Sequence, residues 1–265
     1  GCVGERVGYY GNSLGDHFGE GHIFLAGEAP GLIYGYVTQG IVQKEDITEN
    51  GIKYIKQDGS VGYYQTVNKT TPVAGDVKYV DRNGDGVVDD NDRDIIGNPN
   101  PDFTYGFQTK VSWKSLSLSA SFNGVQGRDI LNVGNRYNNT PGTKSNNVTR
   151  KAFQNMWTDE NPSNLYPKST FVVQNMVMDR YVEDGSYLRC SDITLSYVLP
   201  AKWTNKIGIK NTSVYASVKN AFVITDYSGY DPEVNSFAFD GLRPGVDMNS
   251  YPTPRSFVFG LNLTF

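Results

Sequence analysis

Between residues 256 and 265 every second side chain is strongly apolar. Phe257, Phe259, Leu261, Leu263 and Phe265 alternate with Ser256, Val258, Gly260, Asn262 and Thr264. Successive side chains of a strand point to opposite faces, so this pattern gives a strand with one greasy face and one small or polar face. The pattern recurs upstream. Phe103, Tyr105, Phe107, Val111 and Trp113 oppose Thr104, Gly106, Gln108, Lys110 and Ser112. Leu116, Leu118, Ala120 and Phe122 oppose Ser115, Ser117, Ser119, Ser121 and Asn123. Ile193, Leu195 and Tyr197 oppose Asp192, Thr194 and Ser196; Val214, Ala216 and Val218 oppose Ser213, Ser217 and Lys219, with Tyr215 out of character on the polar side. A water-soluble β-sandwich also alternates. Two details favour lipid on the greasy side. The 115–123 polar face is hydroxyl and amide rather than charged, and aromatics gather near strand ends, where interfacial girdles lie.

The connections test this reading independently. A membrane barrel has short turns on one side and long loops on the other. Lys114-Ser115 makes a tight turn and 200–211 a modest one, whereas 125–180 and 223–253 are long. Setting the short side inward, the strand around Phe257 descends, 212–222 ascends, 186–199 descends, 115–124 ascends and 103–113 descends. Every long connection then falls outside. Residues 32–43 read as a further ascending strand, 27–31 as the turn before it, and 22–26 as the end of a descending one. The expectation is an all-β chain forming a sector, with about six to eight antiparallel strands, of a large up-and-down transmembrane β-barrel with long extracellular loops. Plugged barrels have about 22 strands, so another polypeptide, or a part of the protein N-terminal to these residues, must close the ring.

Composition narrows function by exclusion. A net charge of −4 and the lack of basic clusters speak against nucleic acid. No run is long and apolar enough for a transmembrane helix, and residues 1–10 hold no signal peptide. Cys2 and Cys190 make neither a disulfide framework nor a metal-ligand spacing, and the only imidazoles are His17 and His22. Catalysis is not expected. Glycosidic cleavage needs two carboxylates on opposite sides of a bond, for which Glu183 and Asp184 are the candidates, but no nucleophile elbow, phosphate loop or His-based metal site is present.

Residues 81–92 read DRNGDGVVDDND. Oxygen ligands fall at positions 1, 3 and 5 (Asp81, Asn83, Asp85), Gly86 permits the sharp turn, Val87 offers a backbone carbonyl, and Asp89 and Asp92 stand at positions 9 and 12. This is the calcium-loop spacing, with Asp in place of the closing Glu. The competing reading is a solvated Asn-Gly/Asp-Gly turn. A structural Ca²⁺ in loop 81–92 is the one cofactor expected.

Taken in order, GEAPGLIYGYVTQGIVQ from Gly27, GDVKYVDRNGDGVVDDNDRDIIGNPNPDFTYGF from Gly75, DGSYLRCSDITLSYVLP from Asp184, VYASVKNAFVITDYSGYDPEV from Val214 and the closing PRSFVFGLNLTF resemble the C-terminal barrel region of SusC-like TonB-dependent transporters of Bacteroidetes. The likeness spans the chain from Gly27 onward. It implies a multi-pass protein of the bacterial outer membrane that imports oligosaccharides, with outer-membrane lipid around it. It also implies a plug and a TonB box, neither visible in these residues, and a SusD-like lipoprotein lid. Phe265 resembles the terminal aromatic that signals membrane insertion. Tyr137, Trp157, Tyr166, Tyr227 and Tyr230, in the long loops, are candidates for contact with sugar or lid, beside ordinary loop packing. Two alternatives compete: a peptide importer of the same build, and a secreted calcium-binding β-sandwich adhesin. The adhesin explains the acidic loop but not the strand parity.

Overall fold

The computed structural model describes residues 6–9, 21–140, 147–169, 176–204, 211–238 and 241–264. They form two compact units. One comprises Gly1–Asn100, Asp129–Glu183 and Val234–Asn249, the other Pro101–Arg128, Asp184–Glu233 and Ser250–Phe265.

The first unit holds the strands β1 (Arg6–Tyr9), β2 (His22–Leu25), β3 (Leu32–Tyr36) and β4 (Arg93–Gly97), paired in that order. The expected descending end at 22–26 and the turn at 27–31 are present, since β2 pairs antiparallel with β3. The expected strand over 32–43 is not continuous. It breaks at Val37, where the Thr38 amide and hydroxyl bond to the Asp179 carboxylate. Thr38–Ile41 then pairs with Val77–Tyr79. Between β3 and β4 lie short strands and two 3-10 turns, and of the strands Ile47–Thr48, Gly51–Ile55 and Val61–Tyr64 make a meander. Their inward side chains join a tyrosine-rich core of Tyr36, Tyr54, Tyr64 and Tyr79 with Val42, Ile52, Val88 and Met178. Buried phenols require partners. Accordingly Tyr54 donates to the Asp81 carbonyl at 2.6 Å, and the Tyr64 hydroxyl accepts the Tyr79 amide at 3.1 Å.

The second unit is a sheet of five long strands: β5 (Phe103–Trp113), β6 (Leu116–Gln126), β7 (Tyr187–Val198), β8 (Asn211–Thr225) and β9 (Ser256–Thr264). All neighbouring pairs are antiparallel. These are the five strands expected, joined in the expected order. Trp113 faces Leu116 across the two-residue turn Lys114-Ser115. A short helix, Ala201–Thr204, opens the connection from β7 to β8.

Candidate functional site: the two faces of the sheet and its loops

The register assigns each side chain to a face. Ala120 opposes Ile193, which opposes Val218, which opposes Phe257. One residue along, Ser119 opposes Thr194, then Ser217, then Val258. Most apolar residues of the five strands therefore share one face and most hydroxyl, amide and charged residues the other, with Val258 and Tyr215 as exceptions on the polar face and Thr109 and Thr212 on the apolar one. The apolar face is bare: Trp113 is 68% exposed and Phe259 79%. Greasy side chains in a continuous exposed band belong against lipid or a partner rather than water. No helix is long and apolar enough to cross a membrane, which says nothing of strands.

On the polar face the side chains bond to one another. Ser112 and Ser117 hydroxyls lie 2.9 Å apart, and Asp192 accepts from Thr194 at 2.7 Å and Ser217 at 2.6 Å. Tyr215, the large side chain on the polar side, covers Gly260 on the adjacent strand, where a β-carbon would come 2.2 Å from its ring. Bulges in β7 and β8 beside Cys190 shift the pairing and place Arg189 opposite Asn123, on the polar face. Cys190 is buried and free. Cys2, His17 and Phe265 lie outside the described residues.

The acidic loop is closed by its own backbone. Asp81 accepts the amides of Gly84 at 2.6 Å and Gly86 at 2.8 Å. Asp92 accepts those of Arg82 at 2.7 Å, Asn83 at 3.2 Å and Asp89 at 2.8 Å. Asp85 accepts from the Asn83 side chain and the Val87 amide, and Asp89 caps the short 3-10 turn Asp90–Asp92. Asp81 and Asp92 are buried, while the neighbouring cations pair elsewhere, Arg82 with Asp94 and Arg93 with Asp90. Burial, helped by the nearby Asp81 charge, pushes the Asp92 carboxyl up despite its three amide donors. Tyr54, below the loop, is raised to about 12 by burial and by Asp81 and Asp92. Among the described residues no group of three or more His, Cys, Asp and Glu side chains is gathered to hold a metal. An ion here would depend on Asn83 and carbonyl oxygens as well.

The five loop aromatics divide by burial. Trp157 is buried, donating from Nε1 to Gln43 at 3.0 Å, and Tyr227 is buried against Gly229. Tyr137 and Tyr166 are half-buried, and Tyr230 stands exposed. Glu183 accepts the side-chain amides of Asn132 and Asn135 at 3.0 and 2.9 Å, and Asp184 accepts the Ser186 amide. Both carboxylates thus serve local structure. Sequence reading missed Tyr251, which is 90% exposed, and the partners of Arg189, whose charge within a strand was the available signal.

No protein-family model matches the chain. Over 201 residues it is 35% identical to a TonB-dependent receptor of Formosa agariphila, covering 73% of this chain and 20% of that protein. A second Formosa agariphila TonB-dependent receptor is 33% identical over 92% of this chain and 23% of its own length. The TonB-dependent receptor SusC of Bacteroides thetaiotaomicron is 34% identical over 71% of this chain and 17% of its own. The chain thus spans a quarter or less of these relatives. Among solved structures, the RagAB peptide importer in its open-open state superimposes with a TM-score of 0.63 at 26% identity, covering 92% of this chain and 23% of that one.

Proposed function

This chain belongs to the SusC-like TonB-dependent receptors as one sector of their outer-membrane β-barrel, and we propose that the whole protein imports oligosaccharides across the bacterial outer membrane into the periplasm. The observation carrying this reading is the sheet with two unlike faces: a bare apolar face for lipid, and a face of Ser, Thr and Asn, with Lys110, Asp192, Lys219 and Arg189 among them, suited to a polar, hydroxyl-rich cargo. The unpaired edges of β5 and β9 would be prohibitive in lipid, so the remaining barrel strands must close the ring. TonB, acting through a plug, supplies the energy, and a SusD-like lipoprotein covers the outer mouth. Fractionating the membranes of the wild type, and deleting the full-length gene in a parallel strain, test this. The protein is expected in the detergent-extracted outer membrane, and its loss is expected to abolish growth on particular oligosaccharides. Recovery in the soluble fraction would overturn the reading in favour of an adhesin.

A second reading has specific support. The likeness to the RagAB peptide importer favours peptide as cargo. Growth of the same deletion strain on peptides as the sole amino-acid source separates the two cargoes.

For loop 81–92 we propose Ca²⁺ as a structural ion, held by Asp81, Asn83, Asp85, the Val87 carbonyl, Asp89 and Asp92. The supporting facts are the ligand spacing and two buried carboxylates that meet no cationic side chain among the described residues. Calcium-dependent protection of this loop from hydrogen exchange is the test.

A further inference from the structure

On the polar face Arg189 and Asp231 form a buried ion pair, with the exposed Glu233 at its edge. The Arg189 guanidinium, on β7, lies 2.6 Å from Asp231 Oδ1 through Nη2 and 3.2 Å from Glu233 Oε2 through Nε. Glu233 Oε1 accepts from the Tyr187 hydroxyl at 2.6 Å and from Asn123 Nδ2 at 3.1 Å. Asp231 also accepts two backbone amides, Glu233 at 2.9 Å and Thr253 at 3.3 Å. Burial pushes the Asp231 carboxyl up, but its hydrogen bonds and the Arg189 charge outweigh it and hold the group below the usual carboxylate range. Two separate stretches of the long connection between β8 and β9 are thus tied to one carboxylate, and that carboxylate to the wall strand.

Each stretch displays a tyrosine beside its attachment. Tyr230, 72% exposed, immediately precedes Asp231. Tyr251, 90% exposed, stands two residues before Thr253. The mount between them and the wall is packed. Pro232 is fully buried, and the Tyr227 ring fills the space where a side chain on Gly229 would go. The cluster sits on the face of Asn123 and Ser121, not on the apolar face, so these tyrosines are not mounted on the lipid side.

We propose that Arg189 and Asp231 latch this outer loop to the wall and so mount Tyr230 and Tyr251 as stacking contacts for a neutral sugar ring. Arg189 is a positioning residue and the tyrosines are the contacts. A tyrosine offers a flat apolar face and a polar tip at the cost of two side-chain torsions, and fixing its backbone removes further entropy loss on binding. The flanking sequences, DYSGY and NSYPT, add hydroxyls and amides that match a sugar's own. The ligand class rests on the oligosaccharide reading above; the latch does not.

The test uses the full-length transporter with its lipoprotein in outer-membrane vesicles. Tetranitromethane nitration, read by mass spectrometry, is expected to modify Tyr230 and Tyr251 and spare Tyr227. Arg189→Met should open Tyr227 to nitration while the barrel keeps its heat-modifiable folded band, and Arg189→Lys should restore part of the protection. If Arg189→Met fails to insert, Asp231→Asn is read in the same way. An unchanged pattern in the variant, or Tyr227 nitrated as readily as Tyr230 in the wild type, overturns the latch. On an array of neutral oligosaccharides, the doubly substituted Tyr230→Ala, Tyr251→Ala protein should bind the wild type's sugars about tenfold more weakly. Those same sugars should shield both tyrosines from nitration. Shielding by the lipoprotein alone overturns the ligand assignment and makes these tyrosines lid contacts. If the wild type binds no sugar while its nitration pattern holds, the oligosaccharide reading fails and the latch stands.

Discussion

Tyr215 lies directly opposite Gly260 on the neighbouring strand, and its ring occupies the space a side chain there would need. A β-carbon on Gly260 would come 2.2 Å from Cε1 and Cζ of the ring. The arrangement recurs. Tyr105 opposes Gly124, whose β-carbon would meet Cζ at 2.3 Å, and Tyr54 opposes Gly62 at 2.4 Å. A strand glycine loses conformational entropy and packing, and an aromatic ring laid across it restores the packing.

This pairing predicts a change of sign. With Tyr215 present, Gly260→Ala overpacks the site and lowers stability by about 1–3 kcal/mol. In a Tyr215→Ala background the ring is gone, and the same change should stabilise by about 0.5–1 kcal/mol, the ordinary preference of a strand for Ala over Gly. Urea unfolding of the full-length barrel in lipid, across the four proteins of the cycle, measures both. Equal costs in both backgrounds would show that the pair does not interact.

Adjacent positions on β9 should respond oppositely to one substitution. Leu261 is on the apolar face and Asn262 on the polar face, where its amide reaches Ser213. Leu261→Arg places a charge toward acyl chains, which costs about 2–4 kcal/mol near the bilayer midplane. Asn262→Arg faces the wet side and should insert at close to the wild-type yield. Equal yields of heat-modifiable barrel for both would remove the basis for assigning the faces.

Such faces are legible in sequence because lipid enforces a period of two over whole strands, and no other part of the chain is so constrained. The 103–126 hairpin and the 256–264 strand were therefore readable nearly residue by residue. The break at Val37 was not: there Thr38 bonds to Asp179, which follows it by 141 residues. The same holds for the Arg189–Asp231 contact and for the burial of Trp157. Nor does alternation reveal the tyrosine core, since Tyr54, Tyr64 and Tyr79 come from strands of three to five residues. The acidic loop shows the converse. Its hydrogen bonds run among near neighbours, so spacing alone located its turn.

At the tight turn between β5 and β6, Lys114 adopts φ +54°, in the left-handed region. A residue with a β-carbon pays about 1–2 kcal/mol there. Its ammonium lies 4.8 Å from the Trp113 ring centroid, a contact worth about 0.5–1 kcal/mol at an exposed site. The backbone term is the larger, so Lys114→Gly should stabilise the barrel slightly, by up to about 1 kcal/mol, while Lys114→Val should destabilise it. The same urea unfolding assay reads both, and a destabilising Lys114→Gly would mean that the cation–π contact outweighs the strain.

The acidic loop makes a prediction about pH and calcium together. Burial raises the Asp92 carboxyl above its unfolded value, so the folded loop holds that proton more tightly than the unfolded chain does. Without an ion, the stabilisation from this group is fully present below the unfolded pKa and is lost as pH rises through the folded one. Loop protection from hydrogen exchange should therefore be greatest in acid and decline toward neutral pH. A calcium ion requires the carboxylates ionised, so saturating Ca²⁺ should reverse the trend and protect residues 81–92 most at neutral pH. Asp85→Ala should remove the calcium response and loosen the loop without abolishing the barrel, because Asp85 is exposed and its bonds are local. Asp81→Ala should cost more even without calcium, since it strands the Gly84 and Gly86 amides. Protection that ignores Ca²⁺ at every pH would leave residues 81–92 as a hydrogen-bonded turn and nothing more.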